Sequence, residues 1–249
     1  MAKVISLFKI RGTIGGVTFR QTQDGMVAGE KPGPTREQVL TSDRFAGTRR
    51  HANEFKTAIR DATLLRRSLG NTLNGVHHSK LNGMMHKLLY AASQRDKHSP
   101  MGFRHAAAGD IGLLEGFEFN PDLSLDDALR VRFEHSMDIT TGVLYVTVPG
   151  FVARKKKVFP ADATHFRLVS CGAVINFTEN RCTQDIEASR LMPLGKKTPG
   201  VIHLKHAVKA GEGDVIVQAM GIEFYKMVHG KKVLLKFGAL RILRVGRIG

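Results

Sequence analysis

The residues that could do chemistry are few, and their spacing fits none of the common arrangements. Gly12, Gly15 and Gly16 could cradle a phosphate, but the Gly-Lys-Ser/Thr ending of a phosphate loop is missing and a β-hairpin pattern follows in place of a helix. A tight turn accounts for these glycines better. His77 and His78 are neighbours, which a helix points about 100° apart, whereas a metal needs ligands on one face. His203 and His206 fall on opposite sides of a strand. Cys171 and Cys182 are too few for a disulfide framework and have no Cys-x-x-Cys beside them, so they read as small hydrophobes of a reducing compartment. Neither Gly-x-Ser-x-Gly nor His-Glu-x-x-His occurs, and Asp126-Asp127 follows Ser124-Leu125 in the manner of a turn or cap. The reading is therefore no catalytic residue, no metal ligand and no cofactor, although groups can also converge from distant positions.

Charge is more informative. The 249 residues carry a net +16, with a pI near 10.2. Residues 1–110 hold 18 Lys or Arg against 8 Asp or Glu, so most of the excess lies in the first half. On a helix, Arg49, Lys56, Arg60 and Arg67 share one face through spacings of seven, four and seven, with Arg50 beside them. A row of that kind can meet a row of phosphates and release their counterions. Glu54 and Asp61 dilute it, and a solvated helix face would look the same. Arg154, Lys155, Lys156 and Lys157 form a second concentration between Gly150 and Pro160, in a loop. With no Trp and three Tyr, base stacking has little to work with, so any nucleic acid would be held by its backbone.

The elements that must carry these groups change character twice along the chain. Residues 3–10 read as a strand, with Val4, Phe8 and Ile10 on one face, and a Gly-rich ribbon follows. Asp24-Gly25, between two β-compatible runs, predicts a type I′ hairpin turn. From Thr35 the period becomes helical: Phe45, Ala52, Phe55, Ile59 and Ala62 form one stripe, with Thr41 or Ser42 as cap and Gly70 as stop. A second helix is predicted over 76–94, and 96–110 reads as a linker. Beyond Gly112 short strands recur, at 113–119, 128–134, 143–148, 165–177, 185–191, 201–207, 215–225, 233–237 and 240–245. The fold class is mainly β with a helical segment: an N-terminal β-ribbon at 1–34, a two-helix basic segment at 35–110 and an antiparallel β-sandwich at 111–249. No apolar run approaches the roughly 20 residues that span a bilayer, and the opening residues make a poor signal peptide, so a cytoplasmic location is expected.

Three stretches, GTIGGVTFRQTQDG with EKPGPTREQV and RFAGTRRHANEF, then FPADATHFRLVSCGAVINF, then GIEFYKMVHGKKVLLKFGALRIL, occur in an order that resembles a family met mainly in Bacteroidota genomes. The resemblance covers most of the chain. It implies the ribbon, helix and sandwich layout and brings no activity, ligand or catalytic residue with it.

Two functions follow as expectations. One is a non-enzymatic structural or assembly protein that forms a homo-oligomer or larger array through its ribbon, with Val17, Phe19, Asp24, Gly25 and Val27 as assembly residues. The other is a sequence-independent nucleic-acid-binding protein, or one binding another polyanion, that uses the basic helix face and the basic loop.

Overall fold

The structure, a computed structural model, describes residues 2–3, 10–30, 33–154 and 157–248. Two units divide the chain, Met1–Arg49 and Arg50–Gly249. The strand predicted over residues 3–10 falls largely outside the described residues, Val4 and Phe8 included.

In the first unit β1 (Ala2–Lys3), β2 (Gly12–Ile14), β3 (Val17–Thr22) and β4 (Gly25–Glu30) form an antiparallel sheet in the order β1-β4-β3-β2. Gly15 and Gly16 make the β2–β3 tip with φ of 56° and 83°, the two consecutive positive values a type I′ turn demands. The prediction of that turn at Asp24-Gly25 is corrected. There the tip is Gln23-Asp24, neither with positive φ, and only Gly25, already in β4 and at 111°, takes one. The hairpin itself is present, and Thr22 Oγ1 donates to the Gly25 carbonyl at 2.9 Å to close it. Helix α1 (Arg36–Thr41) begins earlier than predicted, because Thr35 and Gln38 make a reciprocal capping box at 3.1 and 2.8 Å. The backbone leaves the helical region at Ser42, and a short 3-10 turn at Asp43–Phe45 leads into α2 (Ala46–Ser68).

The second unit is layered around one sheet. Strands β7 (His165–Asn176), β8 (Arg181–Ala188), β9 (Met192–Pro193), β11 (Val215–Val228) and β12 (Lys231–Arg247) form it in the order β12-β11-β7-β8, with β9 paired to β7. The odd residues Cys171, Ala173, Ile175, Val215, Val217 and Ala219 share a core with Ala58, Ala62, Leu65 and Leu69 of the α2 side and with Met85 and Leu89 of α3 (Leu81–Ser93). The even residues Phe166, Leu168, Met220, Ile222 and Phe224 face a second sheet, β5 (Glu134–Asp138), β6 (Val143–Val148) and β10 (Ile202–Ala207), in the order β10-β6-β5. Because both faces of β7 and β11 are covered, they are buried almost continuously. Strands β6 and β10 have one covered face, so Leu144, Val146 and Val148 are buried while Tyr145 is exposed. Among the described residues all pairings are antiparallel, and beyond Gly112 the helix content is one 3-10 turn and the five-residue α4 (Leu125–Leu129).

Four strands predicted in this half are redrawn. Residues 113–119 begin in a 3-10 turn (Ile111–Leu114) and pair with β12 only briefly, at the bridge of Glu118 with Arg241 and the backbone hydrogen bonds of Gly116, Phe117 and Phe119 to Leu240 and Ile242. Ala128 and Leu129 belong to α4, which Ser124 caps by accepting from Asp127 N, so the strand starts later, at Glu134. The two strands at 233–237 and 240–245 are one, because β12 runs on through Gly238, where its pairing with β11 shifts register between Leu235 and Ala239.

Helix α2 presents an unforeseen face. Its buried positions are Glu54, Ala58, Asp61, Ala62, Leu64, Leu65 and Ser68, rotated from the predicted stripe, while Phe55 is half exposed and meets Tyr90 edge-on at 6.2 Å. Glu54 accepts from Arg104 Nε (2.7 Å) and Nη2 (3.0 Å), the Gly102 N–H (2.8 Å) and Gln94 Nε2 (3.0 Å). Segment 96–110 is therefore folded onto α2, and Asp96 orders it by accepting from the N–H groups of His98 and Ser99 at 3.0 Å.

Candidate functional site

Register sorts the ribbon residues into two faces. Phe19 stands opposite Gly12 and Ala28, Val17 opposite Ile14 and Glu30, and Gln21 opposite Met26, so Ile14, Val17, Phe19, Met26 and Ala28 share one side, with Gln21 and Glu30 at its ends. Thr13, Thr18, Arg20 and Val27 share the other. Of the residues predicted for assembly, Val17 and Phe19 come together on the apolar face, Val27 lies on the opposite one, and Asp24 and Gly25 stand at the hairpin end. Ile14 is 62% exposed and Val17 38%. Among the described residues of this unit none is buried.

The basic residues are placed as follows. Arg49 Nη1 donates to the carbonyls of Val39 (2.8 Å) and Ser42 (2.7 Å), closing the end of α1. Arg60 donates to Asp61 Oδ1 and to the Phe177 carbonyl (3.2 Å), and Arg67 to the Asn180 carbonyl (2.9 Å) and Cys182 Sγ (3.4 Å). The last two clamp α2 to the turn between β7 and β8. Arg50 and Lys56 are exposed, and the Arg50 stem lies beside Gly102. Arg154 and Lys157 are exposed too, with no hydrogen bond or ion pair to the helix, and Lys155 and Lys156 lie outside the described residues.

Between the two sheets sits a group whose separations resemble those of a hydrolase triad. His206 Nε2 is 2.9 Å from Ser170 Oγ, and His206 Nδ1 is 3.4 Å from Asp185 Oδ2. Sequence reading missed it because the three lie on β7, β8 and β10, and strand pairing alone brings them together. The chemistry runs the wrong way for a nucleophile. Ser170 Oγ donates to the Ala219 carbonyl at 3.1 Å, so Nε2–H donates to Oγ, and Nδ1 makes no aligned hydrogen bond. Burial holds His206 below its ordinary pKa against the pull of Asp185 and Glu187. Ser170 and His206 are both 0% exposed, and a Cβ on Gly172 would come within 2.6 Å of Leu144 and 3.0 Å of His206, so the sheets close tightly here. This is a polar pin between sheets, and Gln218 Nε2 donating to the Tyr145 carbonyl at 2.9 Å is another. A serine-reactive fluorophosphonate should leave Ser170 unmodified in the folded protein, as read by peptide mass spectrometry. Stoichiometric labelling at Ser170 would make it an accessible nucleophile.

Among the described residues no three His, Cys, Asp or Glu side chains gather to hold a metal ion, and no helix is long and apolar enough to cross a membrane. Cys171 is buried with its thiol pushed up to about 12 by burial, and Cys182 is half buried; both are free. Compared with protein-family models, curated proteins and solved structures, the chain matches none.

Proposed function

We propose that the protein is an assembly protein that works by binding, and that its N-terminal ribbon is the joint between copies. One observation carries this reading: a four-stranded sheet with Ile14, Val17, Phe19, Met26 and Ala28 on one side and no buried described residue. A thin sheet without a covered face is marginal in water, and an open apolar face is stabilised by a second layer. A second copy supplies the same face, and two such faces pack about 10 Å apart, as in a sandwich. The polyanion reading has less support, since Arg49, Arg60 and Arg67 are committed to backbone carbonyls.

Deleting residues 1–33 should leave Arg50–Gly249 folded and convert the assembly to a smaller species in light scattering. Val17→Lys with Phe19→Lys should do the same, because both charges fall on the apolar face. Val27→Lys, on the opposite face, should not. An intact protein that stays monomeric at high concentration sinks the proposal, as does equal disruption by the Val27 variant.

A further inference from the structure

The end of α4 and the chain entering β5 border an open cleft of about 450 Å³ against β12, a volume within the range of small-ligand sites. Val131 and Phe133 give it an apolar wall, Arg130, Arg132 and Arg241 give it cations, and the His135 ring lies beside them. The one lining carboxylate, Asp126, is occupied: Arg241 grips it through both terminal nitrogens at 2.7 and 2.9 Å, and the guanidinium lies over the Phe133 ring at 6.0 Å. The Arg130 N–H closes α4 on the Asp126 carbonyl, but the side chains of Arg130 and Arg132 have no hydrogen bond or ion pair among the described residues, so the lining keeps a positive excess. Burial, then the charges of Arg244 and Arg241, hold the His135 pKa below its ordinary value against the pull of Glu115.

Arg130 adds a backbone argument. It caps α4 in the left-handed region at φ 50°, ψ 33°, where glycine is the usual occupant and a side chain is strained. Strain of this kind persists where the surrounding fold imposes it, and it concentrates at binding sites. Here it sets a guanidinium at the mouth of the cleft that glycine could not provide.

We propose that this cleft binds a small organic anion, with an oxyanion head on Arg130 and Arg132 and a flat apolar body against Phe133 and Val131. Guanidinium groups suit phosphate and carboxylate alike because their donors pair with two oxygens at once. The site is independent of the ribbon, and assembly is not needed for it.

The test is titration of the full-length protein at about 0.15 M salt, where long-range attraction is screened, with inorganic phosphate, phenyl phosphate and benzoate, followed at the His135 ring by NMR. Phenyl phosphate should saturate and bind more tightly than inorganic phosphate; saturation by benzoate instead assigns a carboxylate head. Arg130→Gly should weaken binding by about tenfold or more, the scale of one lost charge-assisted contact. Its melting temperature should stay the same or rise, because glycine takes the left-handed turn freely. Arg132→Gln should weaken binding similarly. The proposal is overturned if neither aromatic anion saturates by about 10 mM, a dissociation constant too weak to denote a built site. It is also overturned if the protein carrying both Arg130→Gly and Arg132→Gln binds phenyl phosphate as the unmodified protein does.

Discussion

Glu54→Ala is expected to lower the unfolding free energy by about 3–5 kcal/mol, the range for removing one partner of a buried ion pair. The carboxylate is wholly buried, and it holds a bidentate Arg104, the Gly102 N–H and Gln94. Deleting it leaves a guanidinium, an amide and a backbone donor without their acceptor and releases segment 96–110 from α2. Burial alone would raise its pKa, but the hydrogen bonds from Arg104, Gly102 and Gln94 and the Arg104 charge outweigh that and hold it at about 2, below its ordinary 4.5. A depressed carboxylate pKa contributes stability that is complete above 4.5 and is lost as pH falls toward 2, worth about 3 kcal/mol for this group. Urea melts at pH 7 and pH 3 check both parts. The variant should be much weaker at pH 7, and its deficit should shrink at pH 3. A loss under about 1 kcal/mol at pH 7 would show that the network does not hold the helix.

Asp61→Asn should act in the opposite direction. Asp61 is two helical turns from Glu54 and equally buried, but Arg60 reaches only its Oδ1, and Oδ2 has no partner. Burial raises its pKa from 3.8 to about 6, against the pull of Arg60. The folded state therefore holds a proton that the unfolded chain gives up, and stability falls as pH rises between about 4 and 6. Above that window the cost is about 3 kcal/mol. The neutral amide avoids ionisation but gives up the attraction to Arg60, so a net gain of about 1–2 kcal/mol is expected at pH 7, with little or none at pH 4. Glu118, also pushed up by burial, to about 7, and with a buried Oε2 lacking a partner, adds a slope of the same sign between about 4.5 and 7 that the Asp61 variant keeps. Equal effects at both pH values would rule out ionisation as the cause.

These two acids also show where sequence reading stopped. The strands at 143–148 and 215–225 were legible, because strand signals are local. The buried face of α2 was not, because a hydrophobic stripe is read by excluding charge, and Glu54 is inside only by virtue of Arg104, fifty residues away. The same limit hid Ser170 and His206, which sit on different strands of facing sheets. Ribbon residues Val17 and Phe19 were legible as a pair, but the sorting of Val27 to the other side needed the register at Arg20. The clamping roles of Arg60 and Arg67 depended on the carbonyls of a distant turn.

The five-stranded sheet is a wall with unlike sides. Toward the helices β7 and β11 show Cys171, Ala173 and Ala219 beside Ile175, Val215 and Val217, with no phenylalanine among these strand residues; toward the three-stranded sheet they show Phe166, Leu168, Met220 and Phe224. A slip of one residue between strands would exchange the two sets and put phenylalanines where α2 and α3 must approach. Side-chain volume thus proofreads strand alignment. The helices can seat only on a correctly paired sheet, so misaligned chains cannot finish folding, and the two cores gain their packing together.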